Sequence, residues 1–192
     1  MSTHHTLNPS PSTVHWGYWD ASLDPVLRIQ SGDTVTVTSI SGGIPRMPED
    51  KSQVRAEHME VVENLKPEIG QHILTGPIWV EGAEAGDTLE VRIQDIKLAD
   101  SWGHNFIRAL GGALPEDFPY TRCIIIPIDQ EARTAELPWG KTLKCNPFFG
   151  NFGVAPPPAY GRISSKEPRE HGGNIDNKEL TAGSTVYFPI WT

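Results

Sequence analysis

Apolar and polar residues alternate with period two in three separate stretches of this chain, each led in by the same kind of turn. They are PVLRIQSGDTVTVTSI (residues 25–40), IWVEGAEAGDTLEVRIQDI (78–96) and ELTAGSTVYFPI (179–190). A small residue, a glycine, an Asp or Ser and a Thr precede each alternating run. Val35 and Val37 alternate with threonines, and Leu89, Val91 and Ile93 with Glu90, Arg92 and Gln94, as in half-buried strands. Gly32, Gly86 and Gly183 supply the turn backbone, and Asp33 and Asp87 are placed to bond nearby amides. RCIIIPID (122–129) and a short piece at 132–137 are further strand candidates. The best helix candidate is 48–64, with Val54, His58, Val61 and Val62 on one face. Residues 144–178 read as a long loop, rich in proline, glycine and aromatics. The expectation is a mainly β fold, sandwich-like, with long loops and little helix. Residues 1–14 are expected to be a flexible lead-in and 15–192 a single β-rich domain.

Composition narrows the partners. Of 192 residues 38% are hydrophobic and 21% charged, an ordinary folded composition with enough chain for a core. Eighteen glycines and 17 prolines favour turns over a helical bundle. The net charge of −8 opposes binding to phosphate backbones and anionic membranes, so nucleic acid and membrane are not expected partners. No apolar run approaches the roughly 20 residues that span a bilayer. The polar start, MSTHHTLNPSPSTVH, lacks a secretory core, and a cytoplasmic location is expected. Cys123 and Cys145 form no Cys-x-x-Cys pair, which argues against a disulfide framework and a thiolate zinc site.

Short motifs for nucleotide binding, serine hydrolysis and zinc helices are absent. The remaining candidates are His, Asp, Glu and Asn in glycine-rich settings. In VHWGYWD, His15 and Asp20 are a possible ligand or acid–base pair; the alternative is an aromatic cluster with His15 bonded to backbone. His72 precedes a Thr-Gly-Pro turn and Glu81 follows a strand, which suits a ligand, a base or a half-buried histidine. In HGGNID, Gly172 and Gly173 leave amides accessible and bring Asn174 near Asp176, a combination suited to a small polar substrate or a metal. Trp102, His104, Asn105 and Arg108 line either a pocket or a surface loop.

Longer blocks carry more. VHWGYWDASLDPVLRIQSGDTVTV, HILTGPIWVEGAEAGDTLEVRI, LPEDFPY, PFFGNFGVAPPP and HGGNIDNKELTAGSTVYFPI follow in an order that resembles the acetamidase/formamidase family, from about His15 onward. The resemblance implies hydrolysis of small aliphatic amides, of the formamide or acetamide type, to a carboxylate and ammonia. It also implies a divalent metal, zinc in the first instance, that activates water. Asp20, His72, Asp176 and His15 are then the candidate metal ligands, with Asp176 and His72 as candidate catalytic groups. Asn174 and the amides around Gly173 would hold the substrate's carbonyl oxygen. The family's later GDGH…GDGE-type segment has no counterpart here, so the domain is expected to be incomplete at its C-terminal side. A homodimer, or a companion segment or subunit, is the expected partner. The alternative is a non-catalytic or split-subunit β-domain that binds a small ligand or metal.

Overall fold

The computed structural model describes residues 2–192. Sixteen short strands and one α-helix follow in the order β1 (His4–Leu7), β2 (Val14–Trp16), β3 (Tyr18–Trp19), β4 (Leu27–Ile29), β5 (Thr34–Val37), α1 (Ala56–Asn64), β6 (Ile73–Thr75), β7 (Ile78–Val80), β8 (Thr88–Arg92), β9 (Trp102–Ile107), β10 (Arg122–Asp129), β11 (Thr134–Leu137), β12 (Lys141–Lys144), β13 (Asn151–Gly153), β14 (Ile163–Ser164), β15 (Gly172–Asn174) and β16 (Thr185–Pro189). The fold is mainly β, as expected.

Two compact units divide the chain. One contains the stretch through Ser41, Glu57–Lys97 and Pro147–Thr192; the other contains Gly42–Ala56 and Leu98–Asn146. The second unit holds a four-stranded sheet in the order β12-β11-β10-β9, each neighbour antiparallel. Its strands pair with their neighbours in sequence, so its backbone groups are satisfied locally. Buried Trp102 donates its indole N–H to the Gln53 carbonyl, and Arg55 pairs with Asp100 at 2.8 Å.

In the first unit, pairing is mostly between distant segments. The pairs β1 with β5 and β4 with β7 are parallel; β2 with β6, β3 with β14, β8 with β16 and β13 with β15 are antiparallel. The core includes Val14, Trp16, Tyr18, Val61, Leu74 and Phe188. Each such fully buried apolar side chain contributes roughly 1.5–3 kcal/mol. Phe152 stacks on Phe149 and meets Phe188 edge-on, both with centroids 5.1 Å apart.

The recurring turns behave as the sequence predicts. Gly32, Gly86 and Gly183 have φ of +89°, +102° and +91°, with open space where a Cβ would stand, so conformation alone selects glycine there. Asp33 accepts from Gln30 N and Asp87 from Glu84 N, at 2.9 and 3.0 Å.

Three expectations change. The stretch read as a flexible lead-in carries β1, because Asp33 also accepts from Thr3 N at 2.7 Å and faces the His5 ring at 3.0 Å, while Leu7 is buried; Met1 lies outside the described residues. The helix is shorter than 48–64: Asp50 caps a 3-10 turn over Lys51–Gln53, Val54 is extended, and α1 then buries His58, Val61 and Val62. The long loop at 144–178 contains β13, β14 and β15, too short to show a period of two.

Candidate functional site

Gly17, between β2 and β3, is where three distant segments cross. Its N–H donates to the His72 carbonyl at 2.8 Å, and its own carbonyl accepts from Ser165 N at 3.0 Å. A Cβ on Gly17 would lie 2.7 Å from the Gly70 carbonyl oxygen, and one on Gly70 would lie 2.3 Å from Ser165 Oγ. Side chains at either position would push the segments apart.

This crossing sets His72 against Ser165. The His72 ring Nδ1 lies 3.0 Å from Ser165 Oγ, and the His72 backbone N–H donates to the same oxygen at 3.3 Å. Ser165 is fully buried, and its carbonyl accepts from Asn151 Nδ2 at 3.1 Å. Asn151 stands on β13 opposite Asn174 on β15.

The glycine pair of HGGNID serves packing first. Gly172 and Gly173 have φ of +92° and +96°, and a Cβ on Gly172 would meet the Phe152 carbonyl oxygen at 2.5 Å. His171, just before them, is fully buried, and its carbonyl accepts from Val154 N. Its ring meets Trp19 edge-on at 5.2 Å between centroids. Trp19 in turn lies 6.4 Å from the His15 ring, also edge-on. The buried atoms His15 Nδ1, Trp19 Nε1, both ring nitrogens of His171 and Asn151 Oδ1 have no hydrogen-bond partner within the protein. Buried polar groups left unpaired cost about 1–3 kcal/mol each unless water or a ligand meets them.

Burial holds both imidazoles neutral. It lowers the His15 pKa to about 4; a hydrogen bond to the Gly76 backbone opposes the shift, the Arg162 charge adds to it and Asp20 opposes it. Burial likewise lowers that of His171, with Glu170 opposing and Arg169 assisting.

The other candidates are placed differently. Asp20 accepts from the Ser22 hydroxyl and N–H and from Arg162 Nε, which together lower its pKa. Arg162 also bonds Glu68 at 2.6 Å and lies 4.0 Å over the Tyr18 ring. Asp176 is exposed, at φ +49°, with its N–H on the Gly150 carbonyl. Asn174 donates to the Lys166 carbonyl at 3.3 Å. Gly173 lies beside His171, where a Cβ would come within 3.1 Å of Nε2. Glu81 pairs with Arg28 at 3.2 Å, partly exposed. Trp102 and His104 lie on β9, in the other unit.

Among the described residues, no group of three or more His, Cys, Asp or Glu side chains is arranged to hold a metal ion. The donor set expected from His15, Asp20, His72 and Asp176 therefore does not fit a zinc ion within this chain, and no chemical step is derived through one.

Sequence reasoning missed His171, Ser165, Asn151 and Trp19. His171 had a signal, since a histidine set directly against two glycines is held where backbone packs closely. Ser165 had none, because its partner is far away in sequence.

The sequence matches the Acetamidase/Formamidase family over residues 10–167. It is 29% identical to a formamidase of Methylophilus methylotrophus in an alignment covering 90% of this chain and 53% of that protein. It is 27% identical to an acetamidase of Mycolicibacterium smegmatis, over 62% of this chain and 44% of that one. The crystal structure of an acetamidase from Bacillus halodurans superposes with a TM-score of 0.78 at 28% identity, covering 97% of this chain and 58% of that one. The chain thus spans about half the length of the curated relatives it matches. The family match runs through the crossing at Gly17 and on to Ser165, and on that ground the chain belongs to the acetamidase/formamidase family.

Proposed function

We propose that this protein hydrolyses small linear amides, of the formamide or acetamide type, to a carboxylate and ammonia. The observation that carries the reading is the family match over residues 10–167, joined by relatives named formamidase and acetamidase. In this reaction the oxygen of water adds to the carbonyl carbon, the C–N bond breaks, and a proton from the water reaches the leaving nitrogen. His72 is the proton acceptor in this proposal, because one buried serine oxygen meets both its ring Nδ1 and its backbone N–H. General base catalysis of this kind contributes roughly 10²–10⁴-fold.

Ser165 is read as a positioning residue, although a Ser–His contact also suits a nucleophile. Its full burial, and the lack of room beside Oγ toward Gly70, favour a group that holds His72. Among the described residues no three donors meet, so the proposed steps are carried by this chain's own side chains and water.

The test is ammonia release from formamide and acetamide by the purified chain and by His72→Ala. Steady release above a protein-free blank, falling about 100-fold or more in the variant, is expected. No release by the parent chain overturns the reading for this polypeptide, and equal release by the variant removes His72 from its role.

A further inference from the structure

His15, Trp19 and His171 form a cluster of three rings, with His15 and His171 each edge-on to Trp19. Four buried polar atoms in this cluster bond to no other protein atom. Trp19 Nε1–H is a donor only. His15 Nδ1 has no partner within the protein, and whether it donates or accepts follows from the tautomer. In the tautomer protonated at Nε2, Nδ1 is an acceptor. Neutral His171 offers one donor and one acceptor in either tautomer. With His15 in that tautomer the cluster presents two donors and two acceptors.

A primary carboxamide carries the complement: a carbonyl oxygen with two lone pairs and a nitrogen with two N–H donors. A carboxylate has acceptors alone and would set its lone pairs against those of the two imidazoles. Glycine at 173 leaves that side of the buried His171 ring uncrowded, since a Cβ there would lie 3.1 Å from Nε2.

We propose that His15, Trp19 and His171 are the specificity-determining residues that bind the uncharged carboxamide of the substrate and discriminate against the carboxylate it yields. This inference rests on the amide-hydrolysis reading and adds the groups that recognise the amide. Substrate is held by this count of hydrogen bonds, and product leaves because it cannot match them.

The test is an NMR titration of the complete chain with acetamide and, separately, with sodium acetate at matched ionic strength. The probe is the Trp19 indole N–H, identified by its loss in Trp19→Phe. Trp16 serves as the control, because its indole N–H already donates to the Gln71 carbonyl at 3.0 Å. A saturable shift of Trp19 with acetamide, absent with acetate, is expected. Trp19→Phe and His171→Phe should each weaken acetamide binding roughly tenfold or more. No Trp19 shift with acetamide, as when a buried water alone meets these atoms, overturns the proposal, as does an equal shift with acetate. Ammonia release is measured on the same samples. Hydrolysis without a Trp19 response sinks this inference and leaves the amidase reading standing. A Trp19 response without hydrolysis does the reverse.

Discussion

His72 Nδ1 and Ser165 Oγ lie 3.0 Å apart although 93 residues separate them in sequence. The contact exists because Gly17 and Gly70 leave the backbone bare where the segments cross. Ser165→Ala removes a buried partner from both the ring and the backbone N–H of His72. A loss of about 1–3 kcal/mol in denaturant unfolding is expected. Activity should fall and yet persist, because a positioning group leaves the water route open. Loss of activity to the uncatalysed level in a folded Ser165→Ala would make Ser165 the nucleophile instead.

Glycine substitution separates crowding from conformation. Gly70→Ala places a Cβ 2.3 Å from Ser165 Oγ and 2.5 Å from the Gly17 carbonyl, inside a buried crossing. Gly86→Ala meets nothing within 4 Å and bears only the strain of φ +102°. The second should lose about 1–2 kcal/mol and keep a cooperative transition. The first should lose more, up to failure to fold. Thermal melts of the two variants side by side read the difference.

Stability should depend on pH through His15. Its folded pKa is about 4, below the ordinary histidine value of 6.5, so the unfolded chain binds more protons between these values. The contribution is therefore complete above pH 6.5 and is lost as pH falls toward 4. Its size is at most about 3 kcal/mol, from the shift at 1.36 kcal/mol per unit. Urea unfolding of the parent and His15→Phe from pH 7.5 to 4.5 checks the sign: the parent's stability should decline more steeply.

Arg162 and Asp20 should tune that titration in opposite directions. The Arg162 charge lowers the His15 pKa and the Asp20 charge raises it. Arg162→Ala should move the His15 ring titration up, and Asp20→Asn should move it down. Stability should change by only about 1 kcal/mol in Arg162→Ala, since the Arg162 side chain is 39% exposed. Ring proton shifts followed by NMR give both answers, and shifts in the same direction would contradict the geometry.

The β content and the turn glycines were legible because each rests on a local rule. Val35, Val37, Leu89 and Val91 alternate in plain view, and Gly32, Gly86 and Gly183 announce positive φ. The site was legible only at its edges. His15 and His72 were visible as histidines in turn-rich surroundings, and HGGNID as a crowded loop. What assembles them is pairing between distant strands, as in β3 with β14 and β13 with β15, and strands of two or three residues carry no periodic signal. Asp20 was legible as a carboxylate near a histidine, whereas its ion pair with Arg162, 142 residues away, was not.

The divided first unit bears on how the chain is made. As it leaves the ribosome, the sheet from β9 to β12 is delivered between two parts of the other unit. A nascent chain stalled after Asn146 would hold all four of those strands. Tyr18–Trp19 and Thr88–Arg92 would still lack their partners, and His72 would have no serine to hold it. Local pairing spares the sheet that delay, whereas the histidine site must wait for synthesis to reach Ser165 and His171, with its apolar surfaces open to chaperones in the interval.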